Sequence, residues 1–351
     1  MNKKMLSHLV IKTAKVRNQL FKTCFSLLLV IVQISVISAQ TQSNSDGNKL
    51  QAANNNQNSE PQRNFNVFFS ANDGMTNRAD LISQKFESNF ENTNVVLTNT
   101  DQLAPLDIKN QIRSDDNACV VSVGVKATEA VLATREKIKV FSTELPRMHL
   151  DKLRQMYQQF NIDLTGIYQE QSFERQLKLI KAINDKTESA HLFLGMSDKY
   201  YLQEFKRTAE DNQIELHYRI LQPSSSISKY LDLNSNSSML IITNNEKVYK
   251  PYQIEELVKI AFEKQLYLIG NKFQDAENGS LIAIYTPEDK LVDEISESVS
   301  AYCLQYQTIL PNYAKSFALA VNKKINQNMA IEELDGDKLM EAMRQMESKN
   351  E

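Results

Sequence analysis

Glycine is scarce in this chain, 8 among 351 residues, and no two stand close enough to build a GxGxxG turn or a GxxxxGK[ST] phosphate loop. The two commonest nucleotide fingerprints are therefore excluded. Tryptophan is absent, and cysteine and histidine number 3 and 4. His8, His149, His191 and His217 are scattered, none three to five residues from another histidine or a cysteine, so zinc-ligand spacing is missing. No GxSxG elbow places a nucleophile on a sharp turn. Nor is positive charge in surplus. Of 40 basic side chains, six (Lys3, Lys4, Lys12, Lys15, Arg17, Lys22) precede residue 40 with no acid among them, which leaves thirty-four against 43 acids in the remainder. An acidic body argues against nucleic acid as a partner, because that binding rests on neutralising phosphates.

Residues 1–39 run from a basic start through an apolar stretch, Phe25 to Val36, to Ile37, Ser38 and Ala39, the layout of a secretory signal peptide cleaved after Ala39. The stretch is shorter than the ~20 residues a spanning helix needs and is interrupted by Gln33 and Ser35; an uncleaved anchor is the alternative. Residues 40–63 are almost wholly polar and cannot bury enough apolar surface to offset chain entropy, so they read as a disordered spacer. The exported part keeps Cys119 and Cys303. Two cysteines make no disulfide framework, and each reads as a small buried apolar residue, with a bridge between them as the alternative.

From Asn64 onward, short β-branched and aromatic runs alternate with stretches of helical period, the signature of βαβ units and parallel sheets. Strands are expected at 65–70, 94–98, 119–123, 139–142, 191–195, 215–221, 239–243, 267–270, 281–284 and 317–321. Helices are expected at 79–90, 127–136, 147–160, 173–184, 199–212, 253–264 and 292–306. Ten strands suit two sheets better than one. The alternation restarts after a break near residues 161–168, which gives two α/β lobes with the carboxyl ends of their strands facing a common cleft, where open sheets of this kind bind ligands.

Several segments carry a family likeness: Val123 to Ala133 (VGVKATEAVLA) followed by Ile138 to Pro146 (IKVFSTELP), then Leu164 to Tyr168 (LTGIY), Glu174 to Lys181 (ERQLKLIK), Met239 to Glu246 (MLIITNNE) and Phe317 to Gln327 (FALAVNKKINQ). In this order the chain resembles the substrate-binding proteins of ABC transporters, the group that includes binders of tryptophan, other amino acids and peptides. The resemblance spans roughly residues 65 to 345. It implies a periplasmic-binding-protein fold of type I, two Rossmann-like lobes with parallel sheets joined by three crossovers. Lobe one would take 64–163 plus 281–310, lobe two 164–280 plus 311–345, and 346–351 a short tail. It further implies a monomer that closes by hinge motion on a small molecule, amino-acid-like, peptide or other organic solute, and presents it to an ABC permease in the periplasm, with no cofactor and no catalysis. The chain departs from the family pattern at three places. Val125 stands where a hydroxyl is usual, Asn244 replaces the carboxylate of a P-T-D-N segment, and Glu144-Leu145-Pro146 replaces a D-P pair. These departures, with the long spacer, leave a second reading open: a ligand sensor or envelope interaction module of the same fold, acting with a membrane sensor or an outer-membrane uptake system.

Loops at strand carboxyl ends supply the candidate ligand contacts: Asn72 and Asp73; Lys126 and Thr128 at a helix start; Ser142, Thr143 and Glu144; and from the other lobe Ser197 and Asp198, Asn244 and Asn245, and Asn271. The amide groups after Lys126 suit a carboxylate or phosphate oxygen. Structural roles compete at several of them: Thr128 and Asp198 as helix caps, and the asparagine pair as a turn with left-handed backbone. An enzyme reading could pair Glu144 with Asp73, or Ser70 or Ser142 with a histidine, yet no nucleophile elbow or metal triad accompanies them. The carboxyl-terminal stretch, with Leu339, Met340, Met343 and Met346 at helical spacing, reads as a helix packed on its own lobe or as a docking element.

Overall fold

A strand whose every residue is buried needs cover on both faces, and Cys119–Val123 (CVVSV) is such a strand. The computed structural model supplies that cover with helices on either side of two separate sheets. It describes residues 63–113, 119–222, 227, 239–249, 254–264, 266–328 and 334–348. The expected signal segment and almost all of the spacer lie outside these residues.

In chain order the strands are β1 (Arg63–Phe69), β2 (Thr93–Asn99), β3 (Cys119–Val123), β4 (Lys139–Leu145), β5 (Asp163–Tyr168), β6 (Ser189–Leu194), β7 (Glu215–Ile220), β8 (Met239–Ile241), β9 (Tyr267–Gly270), β10 (Ile282–Tyr285), β11 (Asn312–Tyr313) and β12 (Ala318–Val321). They form two six-stranded sheets, ordered β11-β5-β4-β3-β1-β2 and β12-β10-β9-β8-β6-β7. All pairings are parallel except β12 against β10, where Ile282 faces Val321. All ten expected strands are present, and two were missed. One of these, β5, was read as the break between lobes. Gly166 sits within it because a Cβ there would meet the backbone oxygen of Ser142 at 1.9 Å. Close approach of two strands, not a turn, explains that glycine.

Since β5 and β11 belong to the first sheet and β10 and β12 to the second, the chain passes between lobes at residues 169–172, 286–287 and 314–317. These positions lie a few residues beyond the boundaries drawn at 163/164, 280/281 and 310/311. The helix Glu288–Val299 returns to the first lobe, where Leu291, Val292, Ile295 and Val299 pack against Phe65, Val67, Ile82 and Phe86. The last helix, Gly336–Ser348, buries Leu339 and Met343 in the second lobe's core beside Leu177 and Ile180. One side chain joins all three crossovers. Gln171, 3% exposed, donates its amide to Thr286 Oγ1 and to the Ser316 carbonyl.

The cysteines are not free thiols: Cys119 and Cys303 form a disulfide with Cα atoms 5.7 Å apart. Their separation of 184 residues hides the pairing in the sequence. The second crossover brings the helix ending at Val299, and the turn of π-helix Ser300–Leu304 after it, back to the start of β3. Among the described residues, no helix is long and apolar enough to cross a membrane, and no group of three or more His, Cys, Asp or Glu side chains is arranged to hold a metal ion.

Candidate functional site

The carboxyl ends of β4 and β6 set the site, one from each lobe. After β4, Pro146 stops the strand and Arg147 opens the helix Arg147–Tyr157. After β6, Gly195 leads into the short helix Met196–Tyr201 and then Leu202–Asp211. Between them lies a cleft, part of it open to solvent. Arg147, Met148 and Tyr313 line it from the first lobe, Glu170 and Gln171 from the first crossover, and Phe173, Leu194, Tyr201 and Phe205 from the second lobe. Much of the wall is aromatic: Phe173 meets Phe205 edge-on with ring centres 4.8 Å apart.

Four of the expected residues gather at this cleft: Asp198, Asn244, Asn245 and Asn271. Asp198 Oδ2 accepts from the Gly195 N–H at 2.8 Å and from the Asn245 amide at 2.5 Å. Burial pushes its carboxyl above the ordinary value, opposed by those two donors. Asn271 donates to the Ile242 carbonyl at 3.0 Å. Asn244 differs from its neighbours. Its Nδ2 and Oδ1 are both shut off from solvent and have no hydrogen-bond partner among the described residues. Ser197 lies outside the group, in an adjoining groove with Tyr200, Tyr201, Leu310 and Pro311.

The expected residues of the first lobe sit apart from this cleft. Asn72 donates its N–H to Asp101 Oδ2 at 2.9 Å. Asp73 holds Lys126 twice, through the ammonium at 2.8 Å and the backbone N–H at 3.0 Å, so the helix start is already met by a carboxylate of the chain. Thr128 and Ser142 face inward, and their hydroxyls meet that of Ser122 at 2.9 and 2.6 Å. Thr143 is fully buried. Glu144 has left-handed backbone, φ 61°, at a register shift in β4, and its carboxylate lies 2.8 Å from Arg78 Nε. The imagined Glu144 and Asp73 pair is thus divided between two different cations.

Arg147, Glu170 and Tyr313 were not among the expected residues, and Arg147 carries a contact between lobes. Arg147 grips Glu204 of the second lobe with both terminal nitrogens, at 2.6 and 2.9 Å, and lies 4.6 Å from the Tyr201 ring centre. Its nitrogen also reaches the Tyr313 hydroxyl at 3.0 Å. Burial works against the guanidinium charge, and the hydrogen bonds to Glu204 and Tyr313 outweigh it, so the net shift is upward. Beside it, Asp151 accepts from Tyr168 at 3.0 Å and from Tyr201 at 2.8 Å, one hydroxyl from each lobe. Glu170 takes the Arg147 N–H on both oxygens, at 2.9 and 3.2 Å. The residue keeps some exposure, but its carboxyl is enclosed, and burial raises its pKa to about 7 against the pull of those bonds. The available signal was Arg147 itself, a cation directly after a strand-ending proline.

No curated protein matches the chain. Among solved structures, its fold is similar to a ligand-free, open substrate-binding protein with adhesive properties from Clostridium difficile. That match has TM-score 0.58 and 14% identity, over 79% of this chain and 97% of the other. It is also similar to a conserved domain protein from Vibrio cholerae, at TM-score 0.53 and 16% identity over 80% and 98% of the two chains. A third, a Streptococcus pneumonia ABC domain in complex with L-Trp, matches at TM-score 0.50 and 15% identity over 80% and 98%. The family model described as ABC transporter substrate binding protein matches residues 81–342, nearly all of both lobes. The two parallel-sheet lobes, their three crossovers and this match lead to one assignment: the chain belongs to the ABC transporter substrate-binding protein family, with the type I periplasmic binding fold.

Proposed function

We propose that this chain is an exported solute-binding protein that clamps one small organic molecule between its lobes and presents the closed form to an ABC permease. The observation that carries the reading is the cleft itself, to which both lobes and the first crossover contribute side chains. Three crossovers bound together by Gln171 supply a hinge, and the Arg147–Glu204 and Asp151–Tyr201 contacts give the lobes a polar meeting surface. Export is supported by the signal-like residues 1–39 and by the Cys119–Cys303 disulfide, which persists in oxidising compartments. The role needs no chemistry on the solute, and among the described residues the paired carboxylates are held by cations of the chain.

Thermal denaturation against amino acids, short peptides, nucleosides, organic anions and sugars tests this. A ligand at 100 times its dissociation constant adds about 2.7 kcal/mol, enough for several degrees. X-ray scattering of the same sample should show a smaller radius of gyration on binding. A flat screen, with no co-purified small molecule found by mass spectrometry, would end the solute-binding reading.

A further inference from the structure

The cleft's charged groups are already engaged. Arg147, Glu170 and Asp198 are the ionisable acids and bases lining it besides tyrosine. Arg147 is paired with Glu204, Glu170 accepts the Arg147 N–H on both oxygens, and Asp198 accepts from Gly195 and Asn245. A carboxylate group entering here gives up its hydration without a free cation to meet it, since Arg147 is held by Glu204, and that is costly between apolar walls. Among the lining polar groups, the Asn244 amide has donor and acceptor both shielded from water and both unpartnered among the described residues. A buried amide in that state is costly until something hydrogen-bonds to it. A primary amide offers an N–H donor beside a carbonyl acceptor and pairs two-pronged with any edge carrying the complementary couple, as asparagine does with adenine. Phe173, Phe205, Tyr201 and Leu194 form the remaining wall, a surface for a flat apolar body.

Resting on the solute-binding reading above, we propose that the cleft takes an uncharged, flat molecule with a hydrogen-bond donor beside an acceptor on one edge, a carboxamide, lactam or nucleobase, and that Asn244 reads that edge. Zwitterionic amino acids are then poor ligands.

Calorimetric titration with matched probes decides it. Nicotinamide and uracil carry the edge; nicotinate has a second carboxylate oxygen in place of the amide N–H donor and carries a negative charge, L-tryptophan is zwitterionic, and phenethylamine is a cation. Nicotinamide or uracil should bind at least about tenfold more tightly than nicotinate or L-tryptophan, and Asn244→Leu should weaken that binding roughly ten- to hundredfold. Asn244→Asp keeps the shape and should exchange amide binding for phenethylamine binding, a reversal that mere structural damage does not produce. Circular dichroism confirms that each variant is folded. Tighter binding of L-tryptophan, lost in Asp198→Asn and kept in Asn244→Leu, would place a zwitterion on Asp198 and overturn the ligand class while leaving solute binding intact. Binding confined to solutes without the edge, sugars for instance, overturns the class in the same way. No binding by these probes or by the broad panel removes both readings.

Discussion

Glu170 makes the stability of this chain depend on pH in a direction opposite to that of most carboxylates. Its pKa rises from 4.5 to about 7 because burial penalises the charged form more than the Arg147 N–H favours it. A raised acid binds its proton more tightly in the folded chain than in the unfolded one. Its contribution is therefore complete below about pH 4.5 and is lost as pH climbs through about 7. A gap of that size corresponds to at most about 3.5 kcal/mol, at about 1.4 kcal/mol for each pH unit. Glu170→Gln keeps a carbonyl to accept the Arg147 N–H and removes the charge. The check is urea unfolding of both forms at pH 5, 6, 7 and 8. The variant's advantage over the native chain should be about 1 kcal/mol at pH 5, grow through pH 6 and 7, and level off at roughly 3 kcal/mol by pH 8. Parallel profiles would refute the reasoning, since they would mean that Glu170 titrates alike in both states. A variant that loses stability by the same amount at every pH would show that the carboxylate acts only as a hydrogen-bond acceptor.

Reducing the disulfide, or Cys303→Ser, should lower stability by about 3–5 kcal/mol for a loop of this length, read as a drop in melting temperature of several degrees that reductant no longer changes in the variant. Gly166→Ala drives a methyl group into the Ser142 carbonyl and should cost more than about 3 kcal/mol or prevent folding, measured by circular dichroism and soluble yield. Gln171→Ala removes the amide shared by the crossovers; a loss of about 1–3 kcal/mol in urea is expected, with a wider spread of interlobe separations in X-ray scattering.

Much of the fold was legible because parallel strands buried on both faces leave uninterrupted apolar runs, as in Cys119–Val123 and Met239–Ile241. The failures have particular causes. Asp163–Tyr168 carries a glycine that suits close strand approach as well as a turn, and sequence does not separate the two. The helix Pro105–Arg113 was missed because its nine residues bury only Ile108 and Ile112, too short an apolar stripe to stand out. At the cleft, the strand-end rule reached Asp198, Asn244, Asn245 and Asn271, which follow β6, β8 and β9. The same rule selected Thr128 and Ser142, whose hydroxyls turned out to serve an interior cluster, because position after a strand does not say which way a side chain points. Arg147, Glu170 and Tyr313 depend on how the crossovers set one lobe against the other, and that information is spread along the whole chain.

The bond between Cys119 and Cys303 has a topological effect beyond stability. Between those residues run the first two crossovers and most of the second lobe, from Phe173 through Tyr285. Covalently, that stretch is a closed ring hung on the first lobe. A protease that cuts once anywhere inside it releases no fragment: the two pieces stay joined through sulfur and migrate as one species until a reductant is added. The second lobe is thereby insured against a single cut.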